Sequence, residues 1–134
     1  MSFIPLEDLE VFKMSMEIGD EVWHIVATWD SFQKNTIGLQ ICRSSDSIAA
    51  NISEGYGRYF YKENRNFCFY ARGSLLETKT WLTKSHSRKL IDLDSYNRLM
   101  DKLASCHRLL NKYIKSIGKT GKLPPPDDPM TNDQ

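Results

Sequence analysis

The sequence predicts an all-α fold: an antiparallel up-down four-helix bundle followed by a disordered C-terminal tail. Apolar residues recur at helical spacing in four long segments, and no segment alternates as a strand would. No proline lies between Pro5 and Pro124. Four helices joined by short linkers pack most simply as a bundle. We assign residues 1–118 to the bundle and 119–134 to the tail, whose glycines, prolines and acids lack apolar periodicity.

The first helix is predicted from about Asp8 to Trp29. Its apolar residues form two stripes about 120° apart. One stripe consists of Leu9, Phe12, Met16, Trp23 and Val26, and the other of Val11, Ile18, Val22, Ile25 and Trp29. Because the two stripes are together wider than one core requires, we expect this helix to be buried against more than one neighbour.

The other three helices are bounded by polar and glycine residues. The second is predicted to begin at an N-cap at Asn35 or Thr36 and to end near Gly55–Gly57. The third is predicted from about Tyr61 to Arg88.

The fourth helix is predicted to start at a cap formed by Asp92 or Asp94. Its apolar seam follows a heptad spacing. That seam is predicted to contain Tyr96, Met100, Leu103, His107, Leu110, Ile114 and Ile117.

Composition indicates one globular domain with an uneven charge distribution. The 134 residues carry a net charge of +1. Residues 1–30 hold seven acids and one lysine (1 − 7 = −6), whereas residues 58–89 hold eight Lys or Arg and two Glu (8 − 2 = +6). With three cysteines, no secretory signal and no apolar run of about 20 residues, we expect a cytoplasmic protein with reduced thiols and no membrane segment.

No motif indicates catalysis, a metal or a cofactor. The tripeptide Gly118–Thr120 lacks the preceding strand and the earlier glycine of a phosphate-binding loop. His24, His86 and His107 fall on three different helices, so they do not form a ligand cluster by sequence spacing. We therefore expect a protein that is not an enzyme, with no catalytic residue, no metal site and no cofactor.

A line of polar residues follows the second helix at steps of four and three. It consists of Gln40, Ser44, Ser47, Asn51, Glu54 and Arg58. Small polar residues are common where helices pack, which is the simpler interpretation. A buried Glu54 would need a cation or donor nearby, so we also consider a network that fixes helix register. The predicted members of this structural polar network are Arg43, Ser47, Asn51, Glu54 and Glu77.

Basic residues recur every seven positions along the third helix. Such a row winds slowly around a helix, and its arginines could follow a phosphate backbone while Phe69 stacks on a base. The candidate nucleic-acid-binding residues are Arg58, Lys62, Arg65, Arg72, Lys79, Arg88 and Lys89. The alternative is a solvated face, or one that docks on the acidic first helix of a neighbouring subunit.

Two segments, "LQICRSSDSIAANISEGYGR" and "ARGSLLETKTWL", resemble the four-helix bundle proteins encoded in intervening sequences of bacterial 23S rRNA genes. The matching residues are Gln40, Arg43, Ser47, Ile48, Asn51, Ile52, Glu54, Gly55, Gly57, Arg58, Gly73, Ser74, Leu75 and Glu77. The chain departs from the family pattern at Cys42, Asp46 and Ala49.

The resemblance implies a ring-like homopentamer with a positively charged surface and no established catalytic activity. A related accessory variability protein of diversity-generating retroelements binds nucleic acid and a reverse transcriptase, so similar partners are possible here. Together with the charge pattern, this gives our hypothesis: a homo-oligomeric bundle, most simply a pentamer, that binds RNA or DNA. The alternative is a homo-oligomeric protein-interaction scaffold without nucleic-acid affinity.

Overall fold

The structure is a computed structural model that describes residues 4–119. All regular elements within that range are helical. A 3-10 turn at Leu6–Asp8 precedes four long helices: α1 (Glu10–Val26), α2 (Leu39–Tyr56), α3 (Tyr61–Ser87) and α4 (Leu93–Ser116). The predicted all-α four-helix bundle is confirmed. Apart from Lys119, the predicted tail lies outside the described residues.

Each helix packs mainly against two others, so that α1, α2, α3 and α4 follow one another around a closed ring. Neighbouring helices run antiparallel. Ser44, early in α2, meets Thr78, late in α3, with 2.9 Å between the two hydroxyl oxygens. Lys102, early in α4, donates a hydrogen bond of 2.9 Å to Glu21, late in α1. These pairings are those of an up-down bundle.

The core contains residues from all four helices. The largest fully buried side chains are Ile18, Val22, Ile48, Ile52, Cys68, Leu75, Thr78, Leu82, Leu99, Leu103, Cys106 and Leu110. Burial of each large aliphatic side chain stabilises the fold by about 1.5–3 kcal/mol. In the described part of the chain, no helix has both the length and the apolar composition needed to cross a bilayer.

Both stripes predicted for α1 contribute residues to the core. Leu9 and Val26 of the first stripe are buried together with Val11, Ile18, Val22 and Trp29 of the second. As expected, α1 packs against two neighbours, α2 and α4. Met16 and Trp23, in the middle of the first stripe, remain 48% and 61% exposed, and Trp23 lines an apolar groove between α1 and the start of α2.

The helical backbone leading into α2 begins earlier than predicted. The carboxylate of Asp30 accepts a hydrogen bond of 3.2 Å from the main-chain N–H three residues on, which makes it the N-cap. The chain then continues through Ser31–Gln33 and a π-helical turn, Lys34–Gly38, into α2. Asn35 and Thr36 lie inside this helical segment, so the predicted N-cap was wrong.

The ends of α3 and α4 lie close to the predicted positions. α3 ends at Ser87, one residue before the predicted Arg88. Asp92 is the N-cap of α4, and its carboxylate accepts a 2.7 Å hydrogen bond from the main-chain N–H of Ser95. That contact lowers the pKa of the Asp92 carboxyl, since it favours the ionised form.

The core-facing line of α4 differs from the predicted seam. Leu99 and Cys106, which the prediction omitted, are fully buried. Tyr96 and His107, which it included, are only half-buried. The helix is rotated so that this part of the predicted seam lies on the flank facing α3.

Two glycines have opposite environments. A Cβ atom on Gly55, near the end of α2, would lie 2.7 Å from Asn64 Oδ1 and 2.8 Å from Phe67 Cβ. Gly55 therefore permits a close crossing of α2 and α3. A Cβ atom on Gly73, on the exposed side of α3, would meet nothing within 4 Å.

This difference predicts opposite effects of one substitution. We expect Gly55→Ala to lower the free energy of unfolding by about 1–3 kcal/mol, because the methyl group meets backbone and Cβ atoms that cannot move independently. We expect Gly73→Ala to raise it by about 0.5–1 kcal/mol, because alanine favours the helix. Urea unfolding followed by circular dichroism measures both free energies. If the two substitutions change the free energy of unfolding in the same direction, the close crossing of α2 and α3 at Gly55 is contradicted.

Candidate nucleic-acid interface

The heptad-spaced basic row of α3 lies along its seam with α4. The Nη1 atom of Arg65 donates a hydrogen bond of 3.3 Å to the Ile117 carbonyl, and Nη1 of Arg72 donates one of 2.8 Å to Asn111 Oδ1. Both arginines and Lys79 are half-buried. The row is thus a partly buried seam, rather than a ridge that projects freely into solvent.

The arginines of the seam retain capacity for another ligand. A guanidinium group carries five N–H donors, and one bond to α4 leaves the others available. The Arg72 guanidinium also lies 5.1 Å from the centre of the Phe69 ring, which covers one of its faces. These contacts hold the positive groups in fixed positions, which suits recognition of a phosphate.

A concavity of about 550 Å³ opens where the seam reaches the end of α4. We call it the basic concavity; it is lined by Arg65, Ile114, Lys115, Ile117 and Lys119. The chain turns into it at Gly118, whose φ of 84° strains any other residue. A Cβ there would also lie 3.2 Å from the Tyr61 ring. None of the described residues in the lining is acidic.

A second basic row, on α4, was not predicted from the sequence. It consists of Arg108, Lys112 and Lys115, which are exposed and whose steps of four and three place them on one face of the helix. That spacing was visible in the sequence. Lys115 brings this row to the basic concavity, where exposed Lys119, three residues beyond the end of α4, joins it.

The local field on the seam is positive. Burial lowers the pKa of His107 on α4, and the nearby charges of Lys79 and Arg72 lower it further. Burial is the larger of these effects. The smaller one shows that Lys79 and Arg72 lie close enough to His107 to disfavour its charged form.

Arg58, although predicted to belong to the basic row, lies elsewhere. Its guanidinium group is 3.8 Å from a carboxylate oxygen of Glu54 and 3.8 Å from one of Glu63. It also lies 4.8 Å from the centre of the Phe67 ring. Two acids and an aromatic ring therefore surround it on the α2 side of α3.

The remaining predicted residues divide between the two ends of α3. Lys62 is exposed one turn before Arg65 and belongs near the basic concavity. Arg88 and Lys89 are exposed at the opposite end. At 1.5 Å per residue, Arg88 is about 35 Å along the helix axis from Arg65. The structure thus brings together Lys62, Arg65, Arg72 and Lys79, and separates the other three.

The predicted polar network bonds along its own helices. Ser47 Oγ donates to the Arg43 carbonyl at 2.7 Å, and Asn51 Nδ2 donates to the Ser47 carbonyl at 2.9 Å. Glu54 is exposed beside Arg58, and Glu77 accepts a hydrogen bond of 3.0 Å from Trp81 Nε1 on α3. These contacts satisfy the side chains locally, so they do not supply a bond between helices of this chain.

A buried polar contact between helices occurs instead at Ser44, another member of the polar line. The Thr78 hydroxyl donates to Ser44 Oγ at 2.9 Å, and both residues are buried. Ser44 Oγ in turn donates to the Ile41 carbonyl at 3.3 Å. This pair sets the register of α2 and α3. Ser44 occurs in the sequence among buried isoleucines, which was the available signal.

The acidic flank of α1 is partly neutralised within the chain. Lys102 Nζ lies 2.9 Å from Glu21 and 3.4 Å from Glu17, while Arg98 lies 4.0 Å from Glu21. The hydrogen bond to Glu21 raises the pKa of Lys102 because it favours the ammonium form. The negative charge near the N-terminus is therefore already paired in part with α4.

The buried thiols do not form a reactive site. Burial raises the pKa values of Cys68 and Cys106 to about 12, so both remain protonated at neutral pH. Across residues 4–119, no group of three or more His, Cys, Asp or Glu side chains is arranged to hold a metal ion.

Comparison with known proteins places the chain in a family. Residues 7–112 match the model of the 23S rRNA-intervening sequence protein family. No curated protein matches at a significant level. A crystal structure from Bacteroides thetaiotaomicron, described as a protein of unknown function from the S23 ribosomal protein family, is 24% identical. The match covers 78% of this chain and 98% of that one with a TM-score of 0.71, which shows the shared fold. With its family match spanning the bundle, the chain belongs to the 23S rRNA-intervening sequence protein family.

Proposed function

We propose that this protein is a non-enzymatic bundle that binds RNA or DNA through the basic concavity and the adjoining seam of α3 and α4. One observation carries the proposal: three basic side chains, one from α3, one from α4 and one just beyond the end of α4, line one concavity, and none of the described residues in its lining is acidic. Phosphate contacts supply most of the affinity in binding that does not depend on sequence. The site therefore suits a phosphate backbone better than a particular base sequence.

The surroundings of the concavity support the same ligand. Exposed Lys62 and Lys112 extend the positive surface on either side, and Arg72 continues it along the seam. Phe69 is 42% exposed next to Arg72, so its ring is accessible to an unpaired base. A single strand fits this combination of fixed cations and an aromatic ring.

The proposal extends to assembly and location. We propose that copies of the chain form a homo-oligomer, a pentamer in the simplest case, in the cytoplasm and without a cofactor. A nucleic-acid enzyme such as a reverse transcriptase is a possible partner. The assembly would place several basic concavities on one particle, so that a single nucleic acid could contact more than one of them.

The direct test is Lys115→Glu combined with Lys119→Glu. We expect this variant to lose most of its affinity for a fluorescent single-stranded RNA in an anisotropy titration. For the parent, log K should fall with log salt at a slope of about −3, given four neutralised phosphates at about −0.7 each. Both lysines are exposed, so helix content should stay unchanged.

The matched control is Lys13→Glu with Lys84→Glu, which changes the net charge equally at exposed positions outside both the basic concavity and the apolar groove. It should bind nearly as well as the parent. Arg65 and Arg72 are less suitable targets because both also bond to α4. Equal affinities for the parent and the Lys115/Lys119 variant would exclude the basic concavity as the site.

A second candidate function, a homo-oligomeric interaction scaffold without nucleic-acid affinity, is favoured by an exposed apolar groove. The groove has a volume of about 320 Å³ between α1 and the start of α2, and its lining includes Trp23, Leu39 and Cys42. Trp23 and Leu39 are 61% and 47% exposed. Contiguous apolar surface of this kind is typical of protein-protein contacts.

Light scattering tests this candidate. We expect Trp23→Ser combined with Leu39→Ser to lower the mass of the particle, because the groove would lose its largest apolar groups. Phe69→Ser with Leu76→Ser removes comparable exposed apolar area from α3 and serves as the comparison. If the parent protein is monomeric at all concentrations, it does not assemble through this groove. The same conclusion follows if the Trp23/Leu39 variant forms particles of the same mass as the parent.

A further inference from the structure

The chain leaves the bundle inside the basic concavity. Lys119, the last described residue, belongs to the lining. The fifteen residues that follow contain Asp127, Asp128 and Asp133 but only one basic residue, Lys122, which gives 1 − 3 = −2. An acidic segment thus begins at the most basic part of the surface.

The acidic pair is close enough in sequence to reach that surface. Asp127 is the eighth residue after Lys119, and a segment of that length spans at most about 28 Å. Arg65 and Arg72 are about 10.5 Å apart along α3. Lys62, Arg65 and Arg72 therefore lie within range of the two carboxylates.

The point of exit is firmly held. The Arg65 hydrogen bond fixes the Ile117 carbonyl, and Gly118 packs its turn against Tyr61. A short tether from a fixed point gives an effective concentration in the millimolar range, so even weak ion pairs would be populated. Several cations around one concavity would then act on the same segment.

We propose that the acidic segment containing Asp127 and Asp128 binds in the basic concavity of its own chain and competes there with the phosphates of a nucleic acid. The competition with nucleic acid rests on the proposed function, whereas the binding of the acidic segment to the basic concavity does not. Other acids are poorer candidates, because Glu17 and Glu21 are already paired with Lys102. The apolar groove beside Trp23 is a poorer site for this segment, because Asp20 and Asp46 lie near it. Burial, and then repulsion by Asp20, raise the pKa of Asp46, so a further carboxylate is disfavoured there.

The test uses the full chain with Asp127→Asn and Asp128→Asn. Without nucleic acid, we expect NMR amide signals of Arg65 and of residues 115–119 to shift at low salt. The shifts should vanish at high salt, since screening weakens contacts between exposed charges. The variant should also bind single-stranded RNA about three- to tenfold more tightly, which corresponds to about 0.7–1.4 kcal/mol in total for two exposed ion pairs that no longer compete.

The control is Asp94→Asn with Asp101→Asn, which removes the same charge from exposed positions on α4. Unchanged amide signals in the Asp127/Asp128 variant would overturn the proposal, as would an equal gain in RNA affinity in the control. If the signals shift but neither the parent nor the variant binds RNA or DNA, docking stands and the proposed function fails. These outcomes separate the two inferences.

Discussion

The close crossing of α2 and α3 at Gly55 is the constraint on which the functional surface depends. Asn64 and Phe67 lie so near that a single methyl group cannot be inserted there. The Ser44–Thr78 hydrogen bond fixes the same pair of helices farther along. Two fixed points determine the rotation of α3 about its axis. That rotation turns the heptad-spaced cations toward α4, where Arg65 and Arg72 find acceptors.

Because those cations lie in a seam, they have a structural as well as an electrostatic role. The Arg65 bond to the Ile117 carbonyl caps the end of α4, since that carbonyl follows the last helical turn. The same bond shapes the basic concavity and positions Lys119 beside it. Arg65 and Arg72 thus contribute both to the stability of the bundle and to the positive potential of the seam. A substitution of either arginine would change both, whereas the exposed lysines of α4 contribute mainly charge.

Helical periodicity was sufficient to predict the bundle because each of the four helices buries apolar residues at helical spacing. It could not show which apolar residues of α1 stay at the surface, since Trp23 is exposed whereas Val26, in the same predicted stripe, is buried. The sequence also misplaced the N-cap of α2, because Asp30 and Asn35 are both residue types that cap helices. In the structure Asp30 is the cap, and Asn35 lies inside the π-helical turn that leads into α2. The basic concavity combines residues fifty positions apart, Arg65 and Lys115, so it required the packing of α3 against α4.

The charge asymmetry of the sequence has a different meaning in three dimensions. The acids of α1 do not meet the cations of α3, because α1 and α3 occupy opposite positions in the ring of helices. Two of them, Glu17 and Glu21, are paired instead with Lys102 and Arg98 in the first half of α4. The second half of α4 runs beside the basic row of α3 and adds lysines to it. Positive charge therefore accumulates at one end of one seam, and its counterions must come from solvent, from another molecule or from a part of the chain beyond the bundle.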